Sequence, residues 1–272
     1  MASAAERAER FRGLHHGDAP LLLPNPHDAG SARLLASLGF QALATTSSGH
    51  ASTLGRLDGA VTREEALQHC AVIVGATDLP VSADLEDGFG DRPEAVAETV
   101  RLAAETGLAG CSVEDATGRP DAPIHGVEVA VERVTAAAEA AHRGPVRLVL
   151  TARAENHVHG RTDLADTIAR LQRYQEAGAD VLFAPGLVDR DDLRRLVTSV
   201  DLPVNVLARP GCPPVDELAA LGVRRISVGG AFAFVALAAM AEAARELRDQ
   251  GTYGFVTAAR AGAKAAREAF PA

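Results

Sequence analysis

Residues 81–115 read VSADLEDGFGDRPEAVAETVRLAAETGLAGCSVED, in which two short apolar runs flank a segment with helical periodicity. Asp91 and Pro93 are typical of a helix start, and Gly107 marks the place where that helix should end. A strand, a crossover helix and a second strand make the unit from which parallel sheets are built. This stretch therefore predicts an α/β fold.

The same alternation continues along the whole chain. Apolar runs predict eight strands, at residues 21–23, 42–45, 81–84, 110–113, 147–151, 181–183, 203–206 and 225–228. Predicted helices occupy residues 28–39, 62–77, 93–106, 126–142, 163–177, 189–199, 214–221 and 230–249. Eight such units predict one (β/α)8 TIM-type barrel domain spanning residues 1–272, with about 250–272 as an extra C-terminal helix. An open doubly wound sheet is the alternative.

The composition is that of a globular chain. Hydrophobic residues make up 47% of the 272 residues and charged residues 23%, which provides a core and excludes disorder. A net charge of −9 argues against a nucleic-acid or anionic-membrane partner, and the lack of Trp argues against base stacking. Cys70, Cys111 and Cys212 form no CxxC pair, and no signal peptide or membrane span is evident. The expectation is a soluble, cytoplasmic protein.

Acidic side chains follow neighbouring strands of the predicted barrel. Asp84 and Glu86 lie two residues apart at the end of the third strand, so both can face the barrel mouth. Glu114 ends the fourth strand, and Asp58 lies in the loop after the second. Hard carboxylate oxygens gathered at one mouth suit Mg²⁺, and also Mn²⁺. The competing interpretation is that these acids are solvated loop charges.

Lysine occurs once, at Lys264 in the C-terminal tail. A Schiff-base aldolase needs a desolvated amine on a barrel strand, and no strand of this chain offers one. Carbon–carbon chemistry here would have to stabilise its carbanion by another route, for which a metal ion is the best candidate.

Polar side chains at other strand ends predict contacts to an acidic ligand. Arg153 follows the fifth strand, where it can hold a substrate carboxylate through two hydrogen bonds or bridge to the acids of the neighbouring strands. Thr45, Thr46 and Ser47 follow the second strand, where hydroxyl and backbone N–H groups can bind a carboxylate or an oxyanion. Asn205 on the seventh strand either donates into the mouth or is a satisfied strand-end group.

Taken together and in order, these segments resemble the isocitrate lyase/phosphoenolpyruvate mutase superfamily. The resemblance rests on LPNPHDAGSARLLASLGFQALATTSSG (23–49), LGRLDG (54–59), SADLEDGFGDRPEAVAETV (82–100), GCSVED (110–115), TARAEN (151–156), NVLARPG (205–211) and GVRRISVGGA (222–231). It implies a (β/α)8 barrel whose terminal helix is exchanged between subunits of a homodimer or homotetramer. It also implies a divalent metal bound partly through water.

The resemblance implies roles for individual residues. The matching positions are the metal-site acids Asp84, Glu86 and Glu114, the water-ordering acid Asp58, the substrate-holding turn of Thr46 and Ser47, and the site arginine Arg153. The loop EDATGRPDAPIHG (114–126) departs from the family. It lacks the catalytic Cys of isocitrate and methylisocitrate lyases, and also the Lys and Asn of phosphonomutases. Arg119 and His125 are its basic residues, and both are candidate catalytic groups.

These observations predict a Mg²⁺-dependent enzyme acting on a small 2-oxo or 2-hydroxy carboxylate, or a dicarboxylic acid. The expected reaction cleaves a carbon–carbon bond through an enolate. Two alternatives remain: a mutase or hydrolase acting on phosphonopyruvate or carboxyphosphonoenolpyruvate at the same site, and a catalytically silent protein that binds 2-oxo acids.

Overall fold

The computed structural model describes residues 2–270, and eight parallel strands form its sheet. The strands are β1 (Leu21–Leu23), β2 (Leu43–Ala44), β3 (Val81–Asp84), β4 (Gly110–Glu114), β5 (Val149–Arg153), β6 (Val181–Phe183), β7 (Val204–Leu207) and β8 (Arg225–Ser227). Pairing runs β1-β8-β7-β6-β5-β4-β3-β2, and the Ala44 N–H donates to the Pro24 carbonyl at 3.1 Å between the two end strands. The sheet is therefore a nearly closed barrel, which confirms the (β/α)8 prediction over the open sheet.

Helices alternate with the strands. They are α1 (Ala4–Leu14), α2 (Ala29–Ser37), α3 (Ser47–Thr53), α4 (Arg63–Ala76), α5 (Pro93–Glu105), α6 (Val127–Arg143), α7 (Leu164–Glu176), α8 (Arg190–Thr198), α9 (Val215–Ala220), α10 (Ala231–Gln250) and α11 (Val256–Ala269). Helix α4 begins with a capping box in which Thr62 and Glu65 bond to each other's backbone N–H. Helix α3 lies between β2 and α4, where the sequence predicts no helix. Its polar sequence SSGHAST has no apolar periodicity to indicate one.

The two ends of the barrel differ. Helix α1 covers the N-terminal end, where fully buried Phe11 packs with Leu21, Leu23 and Val149 from the strands. The opposite end of the barrel, at the C-terminal ends of the strands, is open. Active sites in this fold are located at that end. Loop 115–126 lies at that end and contains only an isolated bridge between Ala116 and Ile124.

The C-terminal helices α10 and α11 are themselves largely exposed. Ala233 is the only buried residue of α10 within the described range, and α11 has none. Phe234, Val235 and Met240 are each at least half exposed, at 50%, 65% and 63%. Among residues 2–270, no helix combines the length and hydropathy that a membrane span requires.

Candidate active site

A cavity of about 600 Å³ opens at the C-terminal end of the barrel. Its lining includes Thr45, Thr46, Ser47, Asp58, Asp84, Glu86, Glu114, Arg153 and Glu155. These residues come from the ends of β2 to β5 and the loops that follow them. The fold thus brings together side chains that are separated by more than a hundred positions in the chain.

Arg153 lies at the centre of the acidic residues. Its Nη1 is 2.9 Å from Asp84 Oδ1 and its Nη2 is 2.8 Å from Glu114 Oε2. Glu114 pairs in register with Arg153 across β4 and β5, so adjacent strands deliver the two groups at one level. The Arg153 guanidinium also lies 5.3 Å from the centre of the Phe183 ring. The bridges to neighbouring acids anticipated for Arg153 both form.

Glu155 is a third carboxylate on the same guanidinium, and sequence reasoning missed it. Its Oε1 accepts from Nε of Arg153 at 3.0 Å and from Nη2 at 2.8 Å. Its backbone N–H donates to buried Asp115 at 2.8 Å. The two-residue spacing from Arg153 matches the spacing of Asp84 and Glu86, so strand alternation was the available signal.

The turn after β2 is tied to the acid at the end of β3. Ser47 donates to Asp84 Oδ2 through its backbone N–H at 3.1 Å and its hydroxyl at 3.0 Å. Thr45 accepts from the Asp84 N–H at 2.9 Å, and Thr46 caps α3 by accepting from the Gly49 N–H. The Asp84 carboxylate is consequently held on both oxygens, one by Ser47 and one by Arg153.

Glu86 sits in a strained turn that a buried arginine supports. Its φ of +49° lies in the left-handed region that few residues other than glycine adopt. The Arg133 side chain donates to the carbonyls of Gly90 at 2.5 Å and Asp91 at 2.6 Å, and also to that of Asp87. Arg133 is 1% exposed, so these bonds form away from water and hold the turn in place.

The site carries more negative charge than Arg153 neutralises. Burial, followed by the Asp84 and Asp58 carboxylates, raises the pKa of Glu86 to about 8. Burial also raises the pKa of Glu114 well above its ordinary value, although the Arg153 guanidinium opposes the shift. Carboxylates that repel one another in this way are stabilised in their charged form by an added cation.

The residues present fit a divalent cation in chemistry and in charge. Asp84, Glu86 and Glu114 supply hard oxygen atoms, which suit Mg²⁺ or Mn²⁺. Among residues 2–270, no three His, Cys, Asp or Glu side chains are arranged to ligate one ion directly. An ion here would accordingly take part of its shell from water, as Mg²⁺ commonly does.

Asp58 lies at the rim of the cavity with its side chain exposed to solvent. Partial desolvation, reinforced by the Asp84 carboxylate, raises the pKa of Asp58. Solvent screening weakens these effects at an exposed carboxylate.

The other candidate residues lie outside the cavity lining. Arg119 pairs with Asp91 at 3.0 Å, and the buried His125 places Nε2 3.8 Å from the same carboxylate. Asn205 donates through Nδ2 to Ser227 Oγ at 3.0 Å. The acids Asp84, Glu114 and Glu155 form a ring of acids around Arg153. The geometry gives Arg119, His125 and Asn205 no contact with this ring, so their roles remain predictions.

A family model described as phosphoenolpyruvate phosphomutase matches residues 11–248. The chain belongs to the isocitrate lyase/phosphoenolpyruvate mutase superfamily. A solved structure from Burkholderia cenocepacia J2315, provisionally assigned as a lyase/mutase, has 54% identity and a TM-score of 0.92. The match covers 94% of this chain and 92% of that one.

Two curated relatives carry named activities. A 2-methylisocitrate lyase of Halalkalibacterium halodurans is 31% identical over 205 residues, covering 74% of this chain and 67% of that protein. An oxaloacetate decarboxylase of Pseudomonas entomophila is 31% identical over 221 residues, covering 78% and 74%. Membership of this superfamily of lyases and mutases indicates an enzyme, whereas the differing activities of the relatives leave the reaction itself to be inferred from the site.

Proposed function

We propose that the protein is a Mg²⁺-dependent lyase, also able to use Mn²⁺, that cleaves a carbon–carbon bond in a small 2-oxo or 2-hydroxy carboxylate. The observation that carries the proposal is the excess of carboxylates around Arg153 in a barrel of this superfamily. The named activities of the relatives, on methylisocitrate and oxaloacetate, support this substrate class.

Asp84, Glu86 and Glu114 would hold the metal ion. When bound, such an ion supplies positive charge next to the oxygen on which negative charge develops, an effect worth several kcal/mol. Arg153 holds Asp84 and Glu114 in place, and its Nη1 uses one N–H for Asp84. The other N–H of Nη1 remains for a substrate carboxylate. Since Nε and Nη2 already contact Glu155 and Glu114, Arg153 offers a substrate carboxylate a single hydrogen bond. The two hydrogen bonds expected from the sequence would require Arg153 to release one of its acids.

The remaining cavity residues would orient the substrate and move protons. Thr46 and Ser47 line the cavity beside Asp84, and we propose that this turn holds the substrate carboxylate and keto oxygen. Asp58 at the rim would act as the base, because its raised pKa brings it closer to the range in which it can exchange protons. Loop 115–126, which carries Arg119 and His125, has to move before either could reach the cavity.

The test is turnover of candidate acids by purified enzyme with Mg²⁺ and with EDTA. Oxaloacetate, 2,3-dimethylmalate and methylisocitrate are assayed by product chromatography, and we expect cleavage of at least one with Mg²⁺ only. Phosphonopyruvate, followed by ³¹P NMR, tests the mutase or hydrolase alternative. Tight Mg²⁺-dependent oxo-acid binding in a calorimeter without any product would contradict the proposal and favour a silent binder.

Mg²⁺ affinity is expected to rise with pH. In the metal-free protein the pKa of Glu86 is about 8, so below that pH an ion must displace its proton. The apparent association constant should increase by up to about tenfold per pH unit between pH 6 and 8, then level off. Calorimetric titration of wild type, Glu86→Gln and the exposed control Glu94→Gln measures this dependence. If the pH dependence of Mg²⁺ affinity were the same in Glu86→Gln as in wild type, Glu86 would not be a metal ligand.

We also propose that the partner of this chain is a second copy of itself. The apolar side chains exposed along α10 would be covered by another subunit, in line with the helix exchange that the superfamily resemblance implies. Analytical ultracentrifugation should show a dimer or tetramer for wild type and for the control Arg245→Glu. The double variant Val235→Glu/Met240→Glu should be monomeric, and a monomeric wild type would contradict this assembly.

A further inference from the structure

A second arginine lines the same cavity and is not part of the ring of acids. Arg225 is the first residue of β8 and pairs in register with Leu21 and Asn205. Its side chain is directed into the barrel, where it lines the cavity while the residue is only 4% exposed. A cationic group is therefore buried in the interior of the barrel.

The hydrogen-bonding groups of Arg225 are mostly unused. Its Nη1 donates to Thr151 Oγ1 at 2.8 Å, and its Nε is buried with no partner. Among residues 2–270, no carboxylate lies within 4.0 Å of its guanidinium, whereas Arg153 and Arg170 each pair with acids. Burial and repulsion by Arg153 lower the pKa of Arg225 to about 9. Buried arginines are ordinarily paired with an anion, and Arg225 lacks such a partner in the described part of the chain.

Among the described residues beneath Arg225, no acidic side chain pairs with its guanidinium, and Asp180 at that end of the barrel pairs with Arg147 and His142 instead. The Phe11 ring of the covering helix α1 lies with its centre 6.0 Å from the guanidinium. Burial, followed by the charge of Arg225, lowers the pKa of His15 to about 3, so this imidazole is neutral at pH 7. The cavity that Arg225 lines is open to an anion that could compensate its charge.

Two serine hydroxyls beside the cavity have protons to donate. Ser82 Oγ is buried without a partner. Ser227 Oγ accepts from Asn205 Nδ2, which leaves its own proton free. Both residues line the cavity, on β3 and β8. A guanidinium and hydroxyl donors that line one cavity are groups that can bind a planar oxyanion.

We propose that Arg225, Ser82 and Ser227 form an inner oxyanion site for a carboxylate-type monoanion, distinct from the acid ring around Arg153. A single buried cation matches one negative charge, which favours a carboxylate over a doubly charged phosphate. The anion is either the distal carboxylate of a dicarboxylate substrate, which rests on the proposed function, or a free ion such as formate or bicarbonate. The first source would make Arg225 a determinant of substrate choice.

Formate binding tests the site without metal or turnover. Calorimetric titrations with sodium formate are run in EDTA at constant ionic strength on wild type, Arg225→Met and Arg224→Met. The control removes a neighbouring arginine whose side chain bonds to the Asp18 carbonyl at the protein surface. Wild type and Arg224→Met should bind formate, and Arg225→Met should bind at least tenfold more weakly. Absent binding in wild type, or equal binding in all three proteins, would overturn the proposal.

A second variant, Ser227→Ala, keeps the proposal testable if Arg225→Met does not fold. Ser227→Ala keeps the buried charge and should weaken formate binding several-fold while its circular dichroism and melting temperature stay close to those of wild type. Unchanged formate affinity in Ser227→Ala together with unchanged affinity in Arg225→Met would show that formate binds elsewhere.

Competition identifies the source of the anion. With Mg²⁺ present, malonate and pyruvate are titrated into wild type with and without saturating formate. If a substrate carboxylate occupies the site, formate weakens malonate binding and leaves pyruvate binding unchanged, and Arg225→Met reproduces the loss for malonate. If the site takes only a free anion, both acids bind as before. Both outcomes require that the formate site exists. The first titration uses neither metal nor substrate, so it tests that site even if the Mg²⁺-dependent lyase proposal fails.

Discussion

Replacing Arg153 with methionine is expected to reduce kcat/KM on the order of 10²–10³-fold, the effect of removing one group that stabilises developing charge. The same change should lower the free energy of unfolding by about 3–5 kcal/mol, because Asp84, Glu114 and Glu155 lose the cation that they share. Steady-state kinetics and urea unfolding in EDTA measure the two effects.

The stability loss in Arg153→Met should depend on pH. Burial already raises the pKa of Glu114 and Glu155 above the ordinary 4.5, and Arg153 opposes both shifts. Without the guanidinium, the folded-state pKa values rise further above those of the unfolded chain. A carboxyl raised in this way stabilises the fold fully below about pH 4.5, and that contribution is lost as the pH rises. The variant should therefore be closest to wild type near pH 5 and weakest near pH 8.

Arg161→Met is the matched control, since Arg161 is exposed on the loop after β5. Its unfolding should resemble that of wild type at every pH. If Arg153→Met were as stable as this control at pH 8, Arg153 would not be the group that compensates the acids.

Replacing Asp115 with alanine should destabilise the protein by about 3–5 kcal/mol, because it breaks a buried ionic network from one side. Asp115 Oδ2 accepts from the Tyr174 hydroxyl at 2.6 Å and from Arg170 Nη1 at 3.2 Å. Its Oδ1 accepts from the backbone N–H of Glu155 at 2.8 Å. The change would leave the buried Arg170 with only the half-exposed Asp166 carboxylate as a charge partner. It would also free the segment that holds Glu155 against Arg153.

Urea unfolding measures this effect, with Asp121→Ala as the control in the same loop. Asp121 is exposed, so its removal should change the free energy of unfolding by less than about 0.5 kcal/mol. We also expect weaker Mg²⁺ binding in Asp115→Ala, because Glu155 no longer positions Arg153. Equal stability of the two variants would mean that the network contributes little to the fold.

The barrel and the position of its acids could be predicted from the sequence. Strand and helix periodicity, with glycines such as Gly107 and Gly178 at helix ends, is local information that neighbouring residues carry by themselves. Parallel strands place their carboxyl ends on one side, so Asp84, Glu86 and Glu114 were expected at one mouth. The polar helix α3 lacked such a signal, since a single Thr46 cap and long-range packing determine it.

Only the tertiary structure decided which charges meet. Arg153 bridges three acids, Asp115 joins two loops to α7, and Arg225 is buried without an acid partner. These pairings depend on distances between strands and helices far apart in the chain, and on how much water the barrel excludes. Periodicity reports which face of an element a residue occupies, whereas the energy of a charge depends on everything that surrounds it.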